Sequence, residues 1–274
     1  MSNQHIPQVI GIASGKGGVG KTTVSTNLAT ALVHAGKRVL LMDADMGMAN
    51  AQIALGCKAT YNIGHVLRGE KSLKEILVKS SQGAFLVPGA SGMRELAAMD
   101  DAATAGIIAA FDDLADDFDV VIVDVAAGIS PSVLTFLAAC HRRFIVVKDE
   151  PASIADAYGI IKVMTRDYDL NEIYLVPNMV PSQALGWQLY RRLNEVCHRF
   201  LSQSVAYLTS IEADEFVLQA LRKYTSVIQH APGGAASRDF HRLADAVMKL
   251  PPVAAPNGHI QFFVNRLAQS AEEG

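Results

Sequence analysis

Gly15-Lys16-Gly17-Gly18-Val19-Gly20-Lys21-Thr22-Thr23 is the stretch that decides how this chain is read. It holds Gly-x4-Gly-Lys-Thr between an apolar run at 9–13 and a helical pattern at 22–35. Glycines let the backbone curl until successive N–H groups converge on phosphate oxygens. The following helix adds the positive end of its dipole. In such a loop Lys21 reaches the β- and γ-phosphates, and the Thr22 hydroxyl holds Mg²⁺. A glycine-rich turn with a chance lysine is the bland alternative. From average residue usage, four fixed positions arise by accident only about once in a hundred chains of this length. The segment therefore reads as a nucleotide site for ATP or ADP with Mg²⁺, contacted by Gly15, Gly17, Gly18, Val19, Gly20, Lys21, Thr22 and Thr23. Lys16 is a further lysine inside the loop; spacing alone leaves a solvated charge and a functional one equally open.

Outward from the loop, short β-branched runs alternate with helical patterns. Strands are predicted at 8–13, 39–43, 84–88, 120–124, 143–147, 173–177 and 205–208, and helices at 22–35, 102–114, 154–166, 188–200 and 216–224. Val120-Val121-Ile122-Val123 is continuously apolar, as befits a strand covered on both faces. The pattern predicts an α/β fold of the P-loop NTPase type, a mostly parallel sheet with helices on both faces. Residues 1–250 form its ATPase domain. A Pro/Ala/Gly linker at 251–258 then precedes a tail at 259–274 that reads as detached.

Composition narrows the function. Half of the 274 residues are hydrophobic, which supports a large core and excludes a disordered chain. The net charge of −3 speaks against broad adhesion to nucleic acid, so no direct nucleic-acid partner is expected. Cys57, Cys140 and Cys197 are too scattered for a disulfide framework or a Cys-x-x-Cys metal site, which points to a reduced, cytoplasmic setting. Neither a signal peptide nor an apolar run of about 18 residues is visible. The histidines are dispersed, and the pairs Arg142-Arg143 and Arg191-Arg192 read as solvated helix faces or strand edges.

Carboxylates gather at predicted strand ends, where open α/β sheets bind ligands. Asp124 closes the run 120–123 in the manner of a Walker B aspartate beside Mg²⁺. Asp43 and Asp45 close the strand at 39–43. Each is alternatively a helix cap. Hydrolysis of a phosphoanhydride needs an oriented water, and Asp45 is the carboxylate chosen to orient it, with Asp43, Asp124 and Thr22 nearer the metal.

The loop with Lys16, then Asp43-Ala44-Asp45, then Asp124-Val125-Ala126-Ala127-Gly128 resemble the deviant Walker A ATPases of the MinD/ParA class. Residues 43–50, 126–130 and Asp149-Glu150-Pro151-Ala152-Ser153-Ile154 are most similar to the FlhG (FleN) branch, MinD-like regulators of flagellar number. The resemblance spans about 8–250. It implies a homodimer that sandwiches two ATP molecules, with Lys16 crossing to the partner's phosphates. Catalytic residues would be Lys16, Lys21 and Asp45, with Asn50 following Asp45 in the same switch. Asn178 would read adenine, and Glu150 would contact the partner's nucleotide. The implied partners are an FlhF-type GTPase, flagellar switch-ring proteins and a FleQ-type transcription regulator. Two departures stand out: Val125 replaces the usual Thr, and Ile211-Glu212-Ala213-Asp214 replaces Ile-Pro-x-Asp. The seven residues before the first strand show no counterpart of an FlhF-activating segment, which sets that partner apart from the others. A ParA-like partitioning ATPase working on nucleoid DNA is the competing function, and a non-hydrolysing scaffold a third.

In the tail, Ile260, Phe263, Val264 and Leu267 fall at i, i+3, i+4 and i+7, one face of a helix. Two readings fit: a helix docked on the domain, or an amphipathic anchor that binds the inner-membrane surface peripherally when two copies pair, in some cells at the pole. Arg266 is its one cation, and Glu272 and Glu273 oppose anionic lipid.

Overall fold

The computed structural model describes residues 6–45, 50–89, 101–252 and 260–265. Residues 46–49 of the resembling motif, the linker at 253–258 and most of the tail lie outside them.

Among the described residues nine strands form one sheet: β1 (Gln8–Ala13), β2 (Val39–Ala44), β3 (Val78–Lys79), β4 (Phe85–Val87), β5 (Val120–Val125), β6 (Arg142–Val147), β7 (Ile173–Val180), β8 (Ala206–Tyr207) and β9 (Ile211–Glu212). Their order is β3-β4-β2-β5-β1-β6-β7-β8, with β9 also on β7. Among the described residues only the β3–β4 pairing is antiparallel. The helices are α1 (Lys21–His34), α2 (Ala51–Ala54), α3 (Ile63–Leu67), α4 (Asp101–Ala110), α5 (Pro131–Ala139), α6 (Pro151–Asp167), α7 (Gln183–Leu201), α8 (Glu215–Arg222), α9 (Val227–His230) and α10 (Ala235–Met248).

Alternation along the strands explains the apolar runs. In β5, Val121, Val123 and Val125 belong to one core cluster, while Val120 and Ile122 belong to the other. The first cluster gathers apolar residues of α4–α7; the second gathers those of α1, α9 and α10. The predicted α/β architecture is therefore the one observed. Helix α10 was not read from sequence, although Phe240, Leu243, Ala244 and Val247 are buried at helical spacing.

Two expectations need correction. Arg142 and Arg143 are not solvated: they are 4% and 2% exposed. Arg143 donates to the carbonyl oxygens of Leu137 at 2.8 Å and Ala138 at 3.2 Å, and to that of Cys140. It thus satisfies the orphan carbonyls at the C-terminus of α5. Nor is the start of the tail detached. Phe262 and Phe263 are fully buried in the first cluster. The Phe262 ring packs edge-on against Phe111, 4.9 Å between centroids, and its N–H donates to the Ala139 carbonyl at 3.2 Å. Ile260 and Val264 face outward.

Candidate nucleotide site

The loop between β1 and α1 follows the C-terminal edge of the parallel strands, and its glycines are needed there. Gly20 has φ 88°, and a Cβ on it would lie 2.4 Å from the Asn178 amide nitrogen. A Cβ on Gly15 would lie 2.2 Å from the carbonyl oxygen of Asp156 on α6. Gly128, just past β5, donates its N–H to the Ser14 carbonyl at 3.0 Å. Asn178 donates to the Val19 carbonyl at 2.8 Å. The loop is thus clasped by the ends of β5 and β7 and by α6. Helix α1 opens with no side-chain cap and no acid in its first turn, so its free N–H groups are left for an anion. Thr22 and Thr23 stand in that turn, half-buried.

Below the loop, β2 and β5 run in register with Asp43 beside Asp124. Lys21 Nζ lies 3.0 Å from Asp124 Oδ1, which also accepts from Ser25 Oγ at 3.0 Å. Ser25 was not singled out by sequence; its place one turn after Lys21 on α1 is the signal that marks it. Asp124 Oδ2 is buried with no hydrogen-bond partner among the described residues. An orphaned carboxylate oxygen is costly in a core, and a hard cation would satisfy it. Asp43 is more committed: Oδ2 accepts from Ala51 N at 2.8 Å and Oδ1 from Asp45 N at 3.3 Å. Burial, reinforced by the neighbouring Asp124 charge, pushes the Asp43 carboxyl up to about 7. The unpartnered oxygen of Asp124, with Thr22 next in the chain after the Lys21 that binds its other oxygen, fits Mg²⁺; Asp43 holds the backbone at Asp45 and Ala51. Asp45 is half-buried at the end of β2. The Val that replaces Thr at 125 is buried in the core.

On the outer side, Lys16 is exposed. Glu150 pairs with Lys148 at 2.6 Å, and that bond, more than the nearby Lys16 charge, holds its carboxyl below the usual range. Beside Thr23 and Asn178 opens a cavity of about 420 Å³, walled by Met179, residues 211–215 and the apolar side chains of Val217, Leu218 and Leu221. Its size and its mostly apolar lining with a few polar groups suit a nucleobase next to the phosphate loop. Asn178 and the loop 211–214 thus meet at one place, a juxtaposition that no local spacing announces.

A phosphate loop set on a parallel sheet, with a lysine-bound aspartate below and a base-sized cavity beside it, defines a P-loop ATPase. The chain belongs to the MinD/ParA class of these proteins: residues 7–172 match the family model of an AAA domain. Within the class it is most like FlhG/FleN. The antiactivator FleN of Pseudomonas aeruginosa is 40% identical over 274 residues, spanning 100% of this chain and 98% of that one. The flagellum site-determining protein YlxH of Helicobacter pylori is 32% identical, spanning 97% and 91%. The cell division ATPase MinD of Pyrococcus furiosus superposes with a TM-score of 0.75 at 24% identity, over 90% of this chain and 100% of that one, which shows the fold. No helix among the described residues is long and apolar enough to cross a membrane.

Proposed function

We propose that this protein is an ATP-driven dimerisation switch that governs the number and placement of flagella. Full-length similarity to an antiactivator and to a flagellum site-determining protein supports the output. The observation that carries the chemistry is the buried, unpartnered Oδ2 of Asp124 beside Lys21 and the loop. In this reading the loop N–H groups and Lys21 bind the phosphates of ATP, and the base enters the cavity beside Asn178. Thr22 and Asp124 hold Mg²⁺, which when bound supplies neutralisation of phosphate charge. Lys21 exchanges Asp124 for phosphate as nucleotide arrives. Asp45 orients the attacking water, and Lys16 completes the site of a second copy, as a charge supplied in trans does in other phosphoryl-transfer enzymes. Glu150 faces the partner's nucleotide.

The ATP-bound homodimer then engages its partners: a transcription regulator of the FleQ type, flagellar switch-ring proteins and, where an activating segment exists, an FlhF-type GTPase. Tail residues 259–274 supply peripheral, nucleotide-dependent attachment to the inner membrane, and hydrolysis returns the monomer to the cytoplasm. The domain boundaries at 250 and 258 follow from the same reading. Sedimentation in ATP against ADP, beside flagellar counts in cells carrying Asp45→Ala, tests it. A monomer in both nucleotides together with normal counts overturns it.

A further inference from the structure

We infer that Asp239 and Glu212 are positioning residues for the nucleotide base, fixing the loop wall of the cavity beside the phosphate loop; this rests on that cavity being the base site. The wall at 211–214 is short and has little regular structure of its own. Strand β9 pairs with β7 through Asn178↔Ile211 and Val180↔Glu212, with an irregularity between them. Two paired residues do not fix a backbone, so its position depends on what holds it from behind.

Three ties do so. The Glu212 N–H donates to Asp239 Oδ2 at 2.8 Å, and the Asp239 carboxylate is fully buried on α10. Its other oxygen lies 2.6 Å from Arg242, whose half-exposed side chain supplies the counter-charge. The Glu212 carboxylate reaches the opposite way and accepts the Gln183 N–H at the start of α7, at 3.1 Å. Asp214 joins the ends of two helices, accepting from Phe216 N at 3.0 Å and Ala236 N at 3.1 Å. Position 212 therefore needs both an N–H and an acceptor, and a proline there could supply neither. Phe240, the neighbour of Asp239, lines the cavity itself. A shift of Asp239 thus moves the cavity lining and its loop wall together, while the bonds that hold the phosphate loop, from Asn178 and Gly128, involve neither Asp239 nor Glu212.

The separation makes a test possible. Inorganic tripolyphosphate carries the phosphate charge of ATP without a base, so the difference between the two affinities reads the base contacts alone. In Asp239→Ala and Glu212→Ala the affinity for ATP should fall about tenfold, the loss of one charge-assisted hydrogen bond, with tripolyphosphate affinity unchanged. Asp239→Asn retains an oxygen for the Glu212 N–H and should restore most of the ATP affinity. Glu212→Ala removes the part-buried tie to α7 and leaves the backbone bond to Asp239, which keeps the test open if Asp239→Ala does not fold. Equal losses for both ligands, or no loss for either, overturn the inference. Leu218→Arg, which fills the cavity from its α8 wall, separates the two levels. If it leaves ATP affinity intact, the base lies elsewhere and the site reading itself fails. If it weakens ATP but not tripolyphosphate while the Glu212 and Asp239 variants do neither, only the positioning role is lost.

Discussion

Lys21 and Asp124 are bonded at 3.0 Å across 103 residues of sequence, and the bond uses one of the two carboxylate oxygens. Lysine and aspartate thus neutralise each other in a buried position, and on the proposed reading phosphate and cation replace the bond. Both are almost fully enclosed, and breaking a buried pair by removing one partner leaves a bare charge.

Asp124→Ala should therefore destabilise the fold by about 3 kcal/mol. Asp124→Asn keeps the shape and should cost less, yet Mg²⁺ should no longer tighten ADP binding. Urea unfolding and ADP titration with and without Mg²⁺ measure the two effects. Mg²⁺-dependent tightening that persists in Asp124→Asn would remove Asp124 from the metal site.

The pH prediction concerns His141. Its Nδ1 accepts the Val9 N–H at 3.0 Å, and burial, aided by the charges of Arg143 and Arg142, pushes its pKa down to about 3. In the unfolded chain histidine titrates near 6.5. Between those values the unfolded state binds the extra proton, so stability is full above about pH 6.5 and declines as pH falls toward 3. The loss should reach roughly 4–5 kcal/mol across the window. His141→Asn places an acceptor near Nδ1 without a titrating ring and should flatten the profile. Urea midpoints from pH 4 to 7 for both proteins check it; equal slopes exclude His141 as the source.

Much of this was legible in the sequence, for identifiable reasons. The phosphate loop is local, and its glycines answer to contacts within a few ångströms. β5 is apolar because both faces are covered. Other features depend on distant parts of the chain. The helix predicted at 188–200 starts at Gln183, because Gly186, which locally suggests a loop, instead lets α7 approach Ser210. Arg143 looks solvated until the end of α5 is seen to need a donor. β9, two residues long, pairs only with β7 and was not predicted, unlike β8 within the strand expected at 205–208, and the cavity beside the phosphate loop draws on four separated segments.

The tail prediction starts from Phe262. Its ring is buried against Phe111, and replacing it by alanine should cost about 3 kcal/mol, the usual range for an aromatic lost from a core. The same change should release the tail. Nucleotide-free Phe262→Ala should then co-sediment with anionic phospholipid vesicles more strongly than the unaltered protein. Loss of stability with no gain in lipid binding would retain the docking and discard the anchor.

The last prediction concerns where Lys16 acts. It stands exposed on the loop, while Lys21 is buried beneath it. On the proposed reading Lys21 serves its own nucleotide, and the exposed Lys16 reaches across the dimer interface. Lys16→Ala should bind ADP about as well as the unaltered protein, because the loop N–H groups and Lys21 remain. It should fail to dimerise in ATP, and turnover should drop at least about a thousandfold, as when a trans-acting arginine is lost. Mixing supplies the decisive comparison. Lys16→Ala and Asp45→Ala are each expected to be inactive alone. In a mixed pair, the Lys16→Ala subunit keeps its own Asp45 and receives Lys16 from its partner, so one site is complete. Turnover regained on mixing, measured by phosphate release, is the outcome expected of a trans lysine. If both residues serve the same subunit's nucleotide, every site in the mixture lacks one of them and no activity returns.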